Sequence, residues 1–232
     1  MVKEYRETQD LQKVREIQEQ ILREYERDFS RHIPTSMIPK VRMVWNSIPS
    51  QLARDNRKFI YGAMKKGGRA KEFRDAIQWL QDAGLVYRVT RLSRTEAPIQ
   101  DCEDPAAFKL FMVDLGLLGA MSGVNARQML VSSTAFPEGR GGFTEQYIMQ
   151  QLVSEGITPY YYLYESTRLG IDFVIQKERV YPIEVKAEEN LRAKSLRVVV
   201  EKAEGLKGWR FSTSPYRDQG WMVNVPLPMV KE

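Results

Sequence analysis

Apolar residues recur at helical spacing in the first part of the chain. A highly charged segment carries apolar residues three or four positions apart, at Leu11, Val14, Ile17 and Ile21. This spacing predicts one amphipathic helix over residues 7–31. The pattern then predicts a helix over 37–46, a turn at 48–50, a short helix over 51–55, a helix over 69–82 ended by Gly84, and strands over 85–92 and 108–113. This order of helix, turn, helix and two-stranded ribbon predicts a winged helix, an outline that serves both DNA-binding and protein–protein modules.

The second part of the chain follows a segment rich in Gly, Ser and Pro, residues 132–142, which we interpret as a linker. The pattern after it predicts a helix from residue 143, strands over 160–164, 171–175 and 180–186, a helix over 195–205, and strands over 209–212 and 221–225. Interleaved helices and strands indicate an α/β domain. The expected fold is therefore α+β, with a helical winged-helix-like domain over 1–131 and an α/β domain over 143–232.

Basic residues concentrate in the first part. Residues 1–100 hold 20 Lys and Arg against 13 Asp and Glu, whereas residues 101–232 hold 15 against 17. The densest basic segment contains Arg54, Arg57, Lys58, Lys65, Lys66, Arg69, Lys71 and Arg74. Such an excess suits a phosphate backbone, and we take these eight residues as the candidate nucleic-acid contacts. A solvated surface with no partner is the alternative reading of the same charges.

Charged residues interrupt two apolar strands in the second part. If Gln176 pairs with Val180 across a short turn, Asp172 lies opposite Glu184. Alternation then places Asp172, Glu184 and Lys186 together on one face of the hairpin, and the apolar residues on the other. A surface salt-bridge cluster of the same three residues is the alternative.

This face has the ligands that a magnesium ion prefers. Asp172 and Glu184 offer carboxylate oxygens and Val185 a carbonyl oxygen, so these three are the candidate metal ligands, with manganese as a substitute ion. A bound metal would stabilise charge on a scissile phosphate and activate water. Lys186 would orient that water or neutralise developing charge, and Glu145 on the preceding helix would support the metal. The candidate catalytic residues are therefore Asp172, Glu184, Lys186 and Glu145.

The same residues resemble a known superfamily. Glu145, Asp172 and Ile183-Glu184-Val185-Lys186 resemble the PD-(D/E)xK restriction-endonuclease-like superfamily. The wider chain resembles the C-terminal half of a prokaryotic AAA-type ATPase family, in which a winged-helix region precedes a nuclease-like domain of unassigned function. The motifs that carry this resemblance are Ile48-Pro49-Ser50-Gln51-Leu52, Arg69-Ala70-Lys71, the segment 79–87, Phe108-Lys109-Leu110-Phe111 and Asp114-Leu115-Gly116-Leu117-Leu118. The resemblance implies a nuclease fold, with an ATPase as a partner.

Two departures from that family bear on function. The sequence has no Gly-x-x-x-x-Gly-Lys-Ser/Thr, so we expect this chain to lack the ATPase half and not to hydrolyse ATP. The family often has an acidic residue two positions before the aspartate, where this chain has Gly170. The first functional hypothesis is a metal-dependent nuclease that binds DNA. The second is a non-catalytic module that binds DNA or protein on a degenerate nuclease fold.

Composition removes other kinds of chemistry. A single cysteine, Cys102, and a single histidine, His32, exclude an internal disulfide and multi-histidine or multi-cysteine metal sites. We find no signal peptide and no apolar run long enough to span a bilayer, so we expect a cytoplasmic protein with no membrane partner. The apolar stripe within 11–29 would suit a partner or a homodimer. Tyr160–Tyr162 and Tyr164 suit either base stacking or strand packing, and packing is the commoner use.

Overall fold

The structure is a computed structural model that describes residues 1–54, 57–124, 140–164, 170–187, 193–202 and 206–230. Its helices are α1 (Val2–Thr8), α2 (Leu11–His32), α3 (Ile38–Leu52), α4 (Tyr61–Met64), α5 (Ala70–Asp82), α6 (Leu115–Met121), α7 (Arg140–Ser154) and α8 (Lys194–Lys202). Its strands are β1 (Val86–Leu92), β2 (Glu103–Met112), β3 (Tyr160–Leu163), β4 (Gly170–Gln176), β5 (Val180–Val185), β6 (Gly208–Ser212), β7 (Arg217–Asp218) and β8 (Met222–Pro226). Short 3-10 turns cover Ile99–Cys102 and Leu227–Met229.

The chain forms two compact units that are discontinuous in sequence. Among the described residues, the first comprises 1–54, 59–87 and 110–124, and the second comprises 57–58, 88–109 and those from 140 onwards. This division differs from the sequence prediction of a boundary at 132–142. The reason is that β1 pairs in parallel with β3, with Arg91 opposite Tyr161, so residues 88–109 belong with the second unit. Residues 132–139 of the predicted linker lie outside the described residues, and 140–142 are the first turn of α7.

The first unit is helical and has an aromatic core. The ring of Phe29 in α2 packs edge-on against Trp45, with centroids 5.8 Å apart, and against Trp79, at 5.6 Å. The sequence predicts one helix over 7–31, but the structure has two helices in this part of the chain, α1 and α2. Gln9 has a left-handed backbone with φ 52°, and the Asp10 carboxylate caps α2 by accepting from the Gln12 amide. An Asx cap at this point favours a new helix start over continuation.

The next correction concerns α3. The sequence predicts a helix over 37–46, a turn at 48–50 and a second short helix, but α3 runs unbroken through Pro49. Its buried residues are Val41, Val44, Trp45, Ile48, Gln51 and Leu52. This continuous apolar stripe outweighs the one backbone hydrogen bond that a proline removes near a helix end.

The end of α5 is confirmed where Gly84 predicts it. Gly84 has φ 68°, its amide donates to Gln81, and the Leu85 amide donates to Leu80. These two bonds make a Schellman motif, which favours glycine because the motif needs positive φ. The chain then enters β1. The predicted second strand over 108–113 is longer than expected, because β2 begins at Glu103, where Asp104 pairs with Arg91 of β1.

The second unit is built on a mixed sheet. In the described residues the strand order is β2-β1-β3-β4-β5-β6-β8-β7. The pairs β3–β4, β4–β5 and β7–β8 are antiparallel, and the pairs β5–β6 and β6–β8 are parallel. Phe173, Val174 and Ile175 are each fully buried, so β4 is covered on both faces, although the hairpin pattern predicts a polar second face. On that face Leu196 and Val199 of α8 share a core cluster with Val174.

Among the described residues, no helix is both long enough and apolar enough to cross a membrane. The observed architecture is therefore α+β, with helices followed by a mixed sheet that carries further helices.

Candidate functional site

The β4–β5 hairpin has the register that the sequence predicts. Gln176 pairs with Val180, Ile175 with Tyr181, Val174 with Pro182 and Phe173 with Ile183. The last pair of this register, Phe173 with Ile183, lies next to Asp172 on β4 and Glu184 on β5. The two carboxylates are close enough for Asp172 to raise the pKa of Glu184, although the pairing of β4 with β3 shifts register beside Asp172.

Asp172 is oriented by the neighbouring strand. Its Oδ2 accepts a hydrogen bond from the Val185 backbone N–H at 2.8 Å. The predicted ligand Val185 therefore lies directly beside the Asp172 carboxylate. A charged acceptor on a backbone amide makes a stronger bond than a neutral one, so this bond limits where the carboxylate points.

Glu184 is buried, with only 4% of its surface exposed. Its Oε1 lies 3.2 Å from the Lys186 ammonium, while its Oε2 has no hydrogen-bond partner among the residues that the structure describes. Burial raises the pKa of Glu184, and repulsion from Asp172 adds to the rise, whereas Lys186 and Arg210 oppose it. A buried carboxylate oxygen without a partner is costly, so this atom marks the point where a cation would fit.

Glu145 reaches the same region from α7 and is held by two cations. Its Oε1 lies 2.6 Å from an Arg57 nitrogen, and its Oε2 lies 3.1 Å from the Lys109 ammonium. Burial raises the pKa of Glu145 to about 7; Asp172 adds to the rise by repulsion and a hydrogen bond, and Lys109 and Arg57 oppose it. Desolvation is the larger effect because Glu145 is only 1% exposed.

Lys109 is a site residue that the sequence analysis does not identify. It lies in the middle of β2, 3% exposed, with its ammonium 3.5 Å from the Asp172 carbonyl oxygen. A signal was available, because Lys109 interrupts the apolar run 108–112. That is the same kind of interruption that identifies Asp172 on β4.

A second missed group extends the polar row across the sheet. The strand registers place Arg210 opposite Glu184 and Asn224 opposite Arg210. Arg210 is 2% exposed, and its Nε donates to the Asn224 Oδ1 at 2.9 Å. Asn224 in turn donates to the carbonyl oxygens of Ser214 and Pro215. Arg210 is thereby anchored on the strand next to Glu184.

The donor set fits a hard divalent cation with few protein ligands. Within the described ranges, no group of three or more His, Cys, Asp and Glu side chains is arranged to hold a metal ion. Asp172 and Glu184 remain as two neighbouring carboxylates, and the Oε2 of Glu184, unpartnered among the described residues, supplies an open ligand position. Magnesium is commonly held by one or two carboxylates, with water and phosphate oxygens as its other ligands.

The predicted nucleic-acid contacts separate into two groups. The exposed ones all belong to the first unit, and they are Arg54, Lys65, Lys66, Arg69, Lys71 and Arg74. Arg69, Lys71 and Arg74 lie at or near the start of α5, as predicted, and Lys65 pairs with Glu72 at 2.5 Å. Lys58 is half-buried in the second unit. Arg57 is directed at Glu145, because the buried carboxylate needs a counterion.

The four tyrosines in and next to β3 are buried or half-buried, and none of them is exposed. Tyr160 and Tyr161 are buried, and the Tyr160 hydroxyl donates to Glu103 at 2.8 Å. Burial raises the pKa of each to about 12. Tyr162 and Tyr164 are half-buried and pack edge-on, with centroids 4.9 Å apart.

A separate cavity of about 600 Å³ lies on the opposite sheet face, between Leu152, Trp209 and Phe211, and none of the four predicted catalytic residues lines it.

Two family models match the sequence. One, described as Domain of unknown function (DUF8612), matches residues 1–128. The other, described as Domain of unknown function (DUF4143), matches residues 140–228, and this domain is found C-terminal to AAA-type ATPase domains in some proteins. No curated protein and no solved structure matches the chain.

Proposed function

The chain belongs to the family described as Domain of unknown function (DUF8612), and we propose that it is a metal-dependent nuclease module that binds DNA. In this proposal the second unit is a PD-(D/E)xK nuclease-like domain, and the first unit carries a winged helix. The observation that carries the proposal is the proximity of Asp172 and Glu184 on the neighbouring strands β4 and β5, with Lys186 3.2 Å from Glu184.

Asp172 and Glu184 are the proposed ligands of a magnesium or manganese ion, with Val185 as the backbone donor that orients Asp172. When bound, the metal stabilises negative charge on the phosphate and lowers the pKa of water. Lys186 has about a third of its side chain exposed, so its ammonium is accessible to a phosphate oxygen. Glu145 supports Asp172 from α7, fixed by its two cations.

DNA is the proposed partner of the exposed basic residues of the first unit. Arg69, Lys71 and Arg74 lie at or near the start of α5, where recognition helices of winged-helix proteins contact DNA. Phosphate contacts of this kind release counterions, so affinity should fall steeply with salt. The second family match supports a further proposal, that an ATPase domain is the protein partner of this chain.

The test is cleavage of plasmid and single-stranded DNA with magnesium or manganese, by the parent chain and by Asp172→Ala and Lys186→Ala. We expect cutting by the parent and none by either variant. Asp218→Ala is the matched control, because Asp218 is an exposed carboxylate of the same unit that pairs with Lys207. Cutting that survives Asp172→Ala would assign the nuclease activity to a contaminant and overturn the proposal.

A second function is favoured by the engagement of Glu145. Both of its oxygens are taken by Arg57 and Lys109, and Gly170 offers no further carboxylate. These features suit a non-catalytic module that binds DNA or protein on the same scaffold. It would bind DNA without metal and with strong salt dependence. An absence of cleavage, together with metal-independent DNA binding weakened by Lys71→Ala and Arg74→Ala, would favour this second function.

A further inference from the structure

Lys109 joins the two acids of the site. Its ammonium lies 3.1 Å from the Glu145 Oε2 on α7 and 3.5 Å from the Asp172 carbonyl oxygen on β4. The same ammonium lies over the rings of Tyr161 and Phe173, at 5.0 and 5.8 Å from their centroids. One cation therefore contacts the side chain of one acid and the backbone of the other.

We propose that Lys109 is a positioning residue, which sets the separation of Glu145 and Asp172 and thereby the direction of the Asp172 carboxylate. This inference rests on the proposed function only in taking Asp172 as a metal ligand. Lys109 itself is buried and acts through the two acids.

Stability alone does not explain a lysine at this position. Taking an ammonium out of water is costly, and an apolar side chain of similar volume in place of a buried ion pair is often neutral or stabilising. The aromatic surroundings of Lys109 would accept a methionine, which keeps the stem and removes only the charge. Methionine, however, has no N–H group to donate to Glu145 and to the Asp172 carbonyl oxygen.

The charge also counters a repulsion. Asp172 is close enough to Glu145 to disfavour ionisation of Glu145. Arg57 binds the Glu145 Oε1 at 2.6 Å, on the opposite oxygen from Lys109. Without Lys109, Glu145 keeps one cation and its contact with Asp172, but less positive charge offsets the repulsion between the two acids, so we expect them to move apart.

The structure contains a reporter of the Asp172 position that needs no metal. The Val185 amide donates to the Asp172 carboxylate at 2.8 Å, whereas the next amide, Lys186, donates to the Phe211 backbone carbonyl at 2.9 Å. Loss of the side-chain bond alone would speed hydrogen exchange at Val185 and leave Lys186 protected. General destabilisation of the strand would speed both amides equally.

The experiment measures amide exchange by NMR without metal, and manganese binding by calorimetry, in the parent, Lys109→Met, Lys109→Arg and Asp172→Ala. In Lys109→Met we expect exchange at Val185 to rise at least about 10-fold relative to Lys186, since a bond to a charged group is lost. Manganese affinity should fall about 10- to 100-fold. In Lys109→Arg, the protection of the Val185 amide and the manganese affinity should both lie between those of Lys109→Met and the parent. Lys177→Met, which removes an exposed lysine over the Trp209 ring, is the matched control and should change neither.

The two proposals can fail separately. A parent chain that binds no manganese overturns the metal site, but a selective change at Val185 in Lys109→Met still supports positioning. Unchanged exchange at Val185 in Lys109→Met overturns the positioning role of Lys109, whether or not the protein binds manganese. If Lys109→Met does not fold, Lys109→Met with Glu145→Gln removes the buried negative charge of Glu145 as well. Val185 should still exchange fast in that double variant, and parent-like protection there would overturn the inference.

Discussion

The guanidinium of Arg57 occupies the space that a side chain on Gly141 would fill, because its Nη2 lies against the Gly141 Cα. Gly141 lies one helical turn before Glu145 on α7. The absence of a side chain there is what lets Arg57 reach the Glu145 Oε1 at 2.6 Å. A glycine that the sequence analysis assigns to a linker is thus part of the candidate site.

Gly141→Ala should therefore break an ion pair without removing a charge. Losing one partner of a buried pair costs about 3–5 kcal/mol, and alanine in place of glycine in a helix returns about 1 kcal/mol. We expect a net loss of about 2 to 4 kcal/mol in the free energy of unfolding, measured by urea denaturation. In an Arg57→Ala background the same change should be neutral or stabilising. Equal costs in both backgrounds would contradict this account.

The pH dependence of stability should report the buried state of Glu145. The pKa of Glu145 is about 7 in the folded protein against an ordinary value of 4.5. Between these values the folded chain holds a proton that the unfolded chain releases. The free energy of unfolding should therefore fall as pH rises from about 4.5 to 7, by about 3 kcal/mol in total. Urea denaturation across this range, without added metal, should show the fall in the parent and lose it in Glu145→Gln. Parallel curves for the two proteins would contradict a raised pKa.

Gly170 offers a way to strengthen the proposed metal site. A Cβ at Gly170 would meet nothing nearer than the Leu163 Cδ1 at 3.6 Å, an ordinary contact. Residue 170 lies two positions before Asp172 on β4, so a side chain there is close enough to Asp172 to test a shared ligand role. Gly170→Asp should raise manganese affinity about 10-fold by adding a charged ligand, measured by calorimetry. Gly170→Asn has the same shape without the charge and should not. Equal affinities in the two variants would place the metal away from Asp172.

Packing of α8 on the sheet depends on Gly208. A Cβ at Gly208 would come within 2.8 Å of two Leu196 side-chain atoms, and Leu196 is fully buried. Gly208→Ala should therefore destabilise the protein by about 1 to 3 kcal/mol through overpacking. Gly62→Ala is the control, because no atom lies within 4 Å of its Cβ position, and it should be neutral or stabilising. The midpoint of urea denaturation distinguishes them, and an unchanged midpoint for Gly208→Ala would refute the close packing.

The local parts of the fold were predictable because their causes are local. The alternation of residues 171–175 and 180–186, with a short turn between them, is enough to predict the register from Gln176–Val180 to Phe173–Ile183, next to Asp172 and Glu184. Gly84 is likewise a correct helix end. The errors came where a local signal competed with packing. Pro49 indicated a turn, but the buried stripe of α3 carried the helix past it.

The sequence by itself determined the hairpin that presents Asp172 and Glu184, because side-chain alternation and a short turn specify which residues share a face. Only the tertiary structure decided what surrounds them. Arg57 and Lys109 are distant from Glu145 in sequence, and they meet its carboxylate because folding buries that group, which then needs counterions. A pattern of neighbouring residues records which face is polar. It does not predict which charged residues distant in sequence will contact that face, because those contacts depend on how β2, β4 and α7 pack together.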